Sequence, residues 1–199
     1  MLTTTELRWF LSGLLPAAIR QWFRQQAPGE LVQADAERTD WYLAPAPPCP
    51  ALNLKQRQGA WELKWRQAQL GALPAGTPWQ GELEQWVKWR CEAERPEAIA
   101  LTPAMQARGP WVAVRKSRSL RRLSLASGTS CELELTQLQA GDRWGWTLAL
   151  EASGAAAQLQ APLQAAAAKL ARSYPELALE ARQSYAYPSW LAAIPPSGV

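Results

Sequence analysis

The 199-residue sequence contains no histidine. That absence excludes Ser-His-Asp and Cys-His nucleophilic catalysis, histidine general bases and every histidine-containing zinc site. Cysteine is scarce: Cys49, Cys91 and Cys131 are odd in number, far apart and without CxxC spacing. They read as free thiols of a reducing compartment, two of them buried in strands. Long apolar runs are missing too. The stretch LSGLLPAAI (11–19) is too short for a membrane span, is broken by Gly13 and Pro16, and follows Glu6 and Arg8 rather than a basic leader. A soluble, cytoplasmic protein is the expectation. GxGxxG, GxxxxGK[ST] and GxSxG are absent as well.

Apolar residues make up 48% and charged residues 19%, which describes a folding chain rather than a disordered one. The length suits one domain, 1–199, with one core. A net charge of +4 means little if spread evenly and more if gathered on one surface. The 12 tryptophans read first as packing residues, because each covers a large area and tolerates a polar edge. Base stacking is the rarer alternative.

Hydropathy alternation predicts a first strand at 3–11, then a short amphipathic helix carrying Ile19, Trp22 and Phe23 and stopped by Pro28-Gly29. ERTDWYLA (37–44) reads as a second strand before the extended PAPPCP loop. Strands three and four, LNLKQRQ and AWELKWRQAQ, flank Gly59 as an antiparallel hairpin, and ELEQWVKWRCEA is the fifth. PEAIALTPAMQAR (96–108) is weakly helical and interrupted by Pro103. Strands six to eight follow at 110–125, 129–139 and 143–152, the first two joined by a turn at ASG (126–128). The tail (160–192) reads as an alanine-rich helix and a docked aromatic segment, ahead of a frayed end.

Four strands carry the same pair of cations two residues apart: Lys55 with Arg57, Lys64 with Arg66, Lys88 with Arg90, Lys116 with Arg118. On a strand, such residues share a face. Arg8 alternates with Glu6 on strand one, and Glu62 and Glu84 lie on the cationic faces of their strands. The opposite faces hold Leu54, Leu63, Trp65, Val87, Trp89 and Ala113, so the apolar side should pack against another layer. Trp86 alone of the nearby indoles shares a cationic face. A pair of cations two residues apart repels by roughly 2 kcal/mol at an effective dielectric near 20, so an enclosed face demands anions. The cationic face reads either as a solvated sheet surface or as the lining of a cavity, which eight antiparallel strands are about enough to enclose; the expected fold is α+β, a predominantly antiparallel eight-stranded β-barrel, strands spanning about 3–152, with helices packed outside.

TTELRWF (4–10), LKQRQGAWELKWR (54–66), EQWVKWR (84–90), VRKSR (114–118), CELELTQL (131–138) and WTLALEA (146–152) together make the chain resemble the CYTH, or triphosphate tunnel metalloenzyme, superfamily. The resemblance implies a tunnel in which Arg8, Lys55, Arg57, Lys64, Arg66, Lys88, Arg90, Lys116 and Arg118 grip phosphates. It also implies a Mg2+ or Mn2+ ion held by Glu6 and Glu151, with Glu134 or Glu132 as further ligands. The departures lie on the acidic side: Thr4 stands where the family's first acid would be, and the last strand carries Glu151 without a second acid.

Three functions follow as expectations. The first is a divalent-metal-dependent triphosphate hydrolase, in which Glu62 or Glu84 orients the attacking water. The second is a binder of a small phosphate-rich anion in the same cationic tunnel, its hydrolysis weak or lost. The third is a single-stranded nucleic-acid-binding sheet with Trp65, Trp86 and Trp89 as stacking platforms; strand parity opposes it, since Trp65 and Trp89 face away from the cations. RSLRR (118–122) reads as a solvated strand end or as a tunnel mouth that collects anions.

Overall fold

The computed structural model describes residues 1–92, 100–125, 128–154, 156–175 and 178–194. Its eight strands are β1 (Leu2–Ser12), β2 (Glu30–Leu43), β3 (Leu52–Arg57), β4 (Ala60–Ala72), β5 (Glu82–Glu92), β6 (Trp111–Ser124), β7 (Ser130–Ala140) and β8 (Arg143–Ser153). They close into a barrel in the order β1-β5-β4-β3-β2-β6-β7-β8, each antiparallel to both neighbours. The helices are α1 (Ala17–Gln25), α2 (Pro103–Arg108), α3 (Ala156–Ala171) and α4 (Tyr187–Ala192). None of the described helices is long and apolar enough to cross a membrane. This is the α+β barrel that the alternation predicts.

Two boundaries differ from expectation. β2 begins at Glu30 rather than 37, because its register with β6 shifts twice between Leu31 and Ala36, around Asp35 at φ 43°. A bulge puts consecutive residues out of alternation, so the first half of the strand has no period-two signature. Pro103 does not interrupt a helix but starts one: it follows Thr102, whose side chain caps α2 by accepting from the Met105 amide. The first part of that predicted helix, 96–99, the turn residues Ala126 and Ser127, and the predicted frayed end at 195–199 lie outside the described residues.

Parity sorts the strands into two layers. Outward-facing Leu7 and Trp9 of β1, Leu133 and Leu135 of β7, and Trp146, Leu148 and Leu150 of β8 are buried beneath Ile19, Trp22 and Phe23 of α1 and Leu159, Leu163 and Leu170 of α3. Cys131 is buried in this layer, Cys91 is half-buried in β5 and Cys49 is exposed. The helical cover is one-sided. On β3 and β5 the outer face leaves Leu52 and Trp89 exposed, so the expectation of a second layer against all the apolar faces does not hold there.

A second cluster closes one end of the barrel. Inward-facing Phe10, Tyr42, Val114 and Leu138 meet Tyr187, Trp190 and Leu191 of the C-terminal segment. Tyr185 stacks on Phe10 at 5.1 Å, and Tyr187 on Tyr42 at 5.2 Å. The docked tail is thus a plug, and one of its rings, Tyr187, becomes the floor of the interior.

Of the basic cluster at 118–122, Arg121 faces outward yet is buried, donating to the carbonyls of Phe23, Arg24, Pro28 and Gly29. Its planar fork satisfies carbonyls at the end of α1 and in the turn that follows with four hydrogen bonds from three nitrogens. Gly29 lies so close to β6 that a Cβ would fall 2.5 Å from the Arg122 carbonyl oxygen. Arg121→Ala should lower unfolding stability by roughly 2–4 kcal/mol in urea titration, while exposed Arg122→Ala stays within about 0.5 kcal/mol.

Candidate anion site inside the barrel

The inner face of the barrel encloses a cavity of about 340 Å³. Its lining includes Arg8, Lys55, Arg57, Lys64, Lys88, Lys116 and Arg118 of the expected phosphate grips, and Glu6, Glu84, Glu132, Glu134 and Glu151 of the expected acids. The remaining three sit at its margins. Glu62 is buried behind Lys55 and Arg57, Arg66 is tied to Glu84, and half-exposed Arg90 reaches Glu62 and Glu92. The closed sheet therefore brings at least one member of every cation pair to the cavity, and both members of the Lys55–Arg57 and Lys116–Arg118 pairs.

Each of the nine expected cations already has a carboxylate within ion-pair distance. Arg8 and Arg118 hold Glu134 at 2.8 and 3.6 Å. Glu62, only 1% exposed, gathers four partners: Lys55 at 3.1 Å, Lys88 at 3.5 Å, Arg90 at 3.3 Å and, in closer contact, Arg57. Arg66 bonds Glu84 at 2.5 Å. Lys116 lies 3.1 Å from Asp40, which also bonds Arg38 at 3.1 Å. Lys64 bonds Glu6 and lies 3.3 Å from Glu151. The anions that an enclosed cationic face demands are thus in large part supplied by the chain itself.

Arg38, Asp40 and Tyr42 on β2, and Tyr187 in the plug, belong to this interior without having been singled out from the sequence. Residues 38, 40 and 42 follow the same two-residue rule as Lys-x-Arg, so parity on ERTDWY could have found them. Tyr187 had no such signal. Lys116 Nζ sits 4.7 Å from the centre of the Tyr42 ring and 4.1 Å from that of Tyr187, and donates to the Tyr42 hydroxyl at 2.5 Å. These contacts let an ammonium group sit in an otherwise apolar floor. Trp86 is turned inward and 2% exposed, donates to Glu84 and has the Arg66 guanidinium 5.9 Å from its ring centre, so burial and Arg66 leave little ring face for a base.

The charges are not evenly mixed. Register aligns Glu84, Glu6, Glu151 and Glu132 in a single row across β5, β1, β8 and β7. The far wall, on β3, β2 and β6, carries Lys55, Arg57, Arg38, Lys116 and Arg118. Protonation follows this division. On the cationic wall, burial and the charge of Lys116 push Lys55 down to about 7, and burial brings Lys116 down to about 8 against the pull of Asp40. On the acidic side, burial and the neighbouring Glu6 charge raise Glu151, while Glu6 is held below the usual range because Lys64 and Arg8 outweigh its burial. Two carboxylates about 5 Å apart repel by roughly 3 kcal/mol at an effective dielectric of 20, so the row needs a cation.

The donor set does not form a divalent-ion site as arranged. Among the described residues no three Asp, Glu or Cys side chains converge as metal ligands. Thr4 donates to Glu6 at 2.8 Å; Glu134 is taken by Arg8; Glu84 is taken by Arg66 and Trp86. A hard cation that needs six or more oxygens finds few of them open here.

No family model matches the chain, and no curated protein matches it. Among solved structures it is similar to HpAC1 from Hippeastrum, described as having a dominant triphosphatase activity, at 13% identity and a TM-score of 0.42 over 83% of this chain and 85% of that one. It is also similar to the PH1012 protein of Pyrococcus horikoshii OT3, at 13% identity and a TM-score of 0.46 over 92% and 98% of the two chains.

Asp40 and Glu62 dictate an acid response. Burial would raise both, but Lys116 and Lys55 beside Asp40, and Lys55 and Arg57 beside Glu62, hold each at about 2. A carboxylate depressed in the folded state contributes stability that is present above its unfolded value near 4 and is lost as pH falls toward 2. Denaturant titrations should show stability falling across that window. Glu62→Gln should flatten the decline, with a lower plateau at neutral pH because four cations lose their shared partner.

Proposed function

We propose that this barrel binds a compact, phosphate-rich anion, a triphosphate or an organic phosphate, in its interior. One observation carries the reading: on the wall formed by β2, β3 and β6, five cations are buried together so closely that, although Asp40, Glu62 and Glu134 pair with them, burial and mutual repulsion push two lysines toward deprotonation. A polyanion entering there would relieve that crowding, and Arg38, Arg57 and Arg118 supply planar donor forks suited to phosphate oxygens. The carboxylates able to orient a water, Glu62 and Glu84, are both occupied by ion pairs. The reading is therefore of a binder, with hydrolysis no part of it, and with the polyanion rather than a nucleic-acid strand as its partner. Chain geometry supports this, since a closed end admits a small ligand but not a continuous polymer.

Isothermal titration of the full chain with tripolyphosphate should give saturable binding in roughly the micromolar range, with no release of inorganic phosphate in the same samples. Lys116→Met and Arg118→Met should each weaken it about tenfold or more, whereas Glu62→Gln should tighten it by freeing four cations from an internal competitor. Absence of binding at low salt would refute the reading, and phosphate release at a steady rate would replace the binder with an enzyme.

A pH dependence follows from the same wall. Lys55 is faced by Asp40 from β2, Glu62 from β4, Lys116 from β6 and Arg57 on its own strand. Because burial and neighbouring cations push Lys55 down to about 7 and Lys116 down to about 8, an anion bound beside them would favour their protonated forms. Binding should take up protons and weaken as pH rises from 6 to 9. Calorimetry in buffers of differing protonation enthalpy reads the uptake, and Lys55→Met should reduce it.

A further inference from the structure

The acidic row on β5, β1, β8 and β7 has its own cation, and that cation is part of the chain. Lys64 extends from β4, two strands from β1 in the barrel, and its ammonium lies between the carboxylates of Glu6 and Glu151. It donates to Glu6 Oε1 and sits 3.3 and 3.4 Å from the two Glu151 oxygens. Thr4 fills a further position on Glu6 Oε1. Two residues along the same strand, Arg66 neutralises Glu84, the next acid in the row. One strand therefore supplies the counter-charges for three of the four glutamates.

We propose that Lys64 is a built-in substitute for a divalent cation: its ammonium holds the place between Glu6 and Glu151, closes the row to metal ions, and hides a latent metal site. Three features of the donor set support this. An ammonium offers three donors and no acceptor, so it satisfies two carboxylates without asking for the further oxygens that Mg2+ or Mn2+ requires. The guanidinium of Arg8, on the same inner face as Glu6 and bonded to Glu134, adds a second positive charge that opposes entry of a doubly charged ion. Glu132, which adjoins Glu151 in register and lines the cavity, is an acid that could complete a site once the ammonium is gone. The inference concerns the acidic row alone and stands or falls apart from the anion reading.

The test is direct titration with Mn2+ alone, followed by the EPR signal of the free ion, on the full chain. Wild type should show no saturable site tighter than about 1 mM, a level typical of weak, unspecialised carboxylate sites. Lys64→Met, shown to be folded by circular dichroism and a cooperative melt, should gain one Mn2+ site at least about tenfold tighter, and Lys64→Met combined with Glu6→Gln should lose it again. A micromolar Mn2+ site in wild type that disappears in Glu6→Gln overturns the proposal whatever the variants do, since the metal would then displace the ammonium. Folded Lys64→Met without any gain also overturns it. If Lys64→Met does not fold, Lys64→Gln is the second neutral variant, and the wild-type titration decides on its own. Tripolyphosphate is left out of these samples, so a failure of the anion reading cannot be mistaken for a failure of this one.

Discussion

A charged side chain on the inner face of a closed sheet cannot turn away to solvent. Alternation gives a strand only two directions, and closure makes one of them an interior. Everything unusual in this molecule follows from placing Lys, Arg, Glu and Asp on that inward face of all eight strands. The dense ion pairing answers the constraint: Glu62 serves four cations, Asp40 and Glu134 serve two or more, and Lys64 answers two glutamates. Buried pairs of this kind repay their desolvation only when each member is satisfied, and loss of one partner leaves a buried charge alone. The interior is consequently a coupled array in which a change at one residue is felt at several.

The same constraint explains why the molecule keeps its apolar surface outside. Leucines and tryptophans that would fill an ordinary core face outward, and the buried apolar mass lies between the barrel wall and α1 and α3. The core is a shell on one side of the barrel. On the other side, around Leu52 and Trp89, the wall has no such layer among the described residues. Arg121 ties the shell to the wall by its bonds to the end of α1, which makes it a structural cation among neighbours, such as Arg118, that serve the interior.

Much of this was legible in the chain. Lys-x-Arg on four strands fixed which residues share a face, and eight alternating segments of suitable length fixed the strand number. Faces are readable because they depend on parity alone. Heights along the barrel are not, because they depend on register and bulges: nothing local announces that Glu134 would meet Arg8, 126 positions away, or that Lys64 would reach Glu6. The bulge around Asp35 erased the alternation that would have revealed the start of β2, whereas Arg38 and Asp40 stand in the regular half of the strand, where parity already puts them on the face of Tyr42. Tyr187 was unreadable for another reason. Its place depends on a tail docking into an opening that exists only after the strands have closed.

That docking has a bearing on traffic. With Phe10, Tyr42, Tyr187 and Trp190 packed together across one end, the described residues oppose passage there, and the barrel reads as a well entered from the other end. Whatever enters must leave by the route it came, so an occupant departs before a successor arrives, and a long molecule can insert no more than its tip. Discrimination then rests on how the leading end of a guest is shaped and charged, with the remainder of its length left outside.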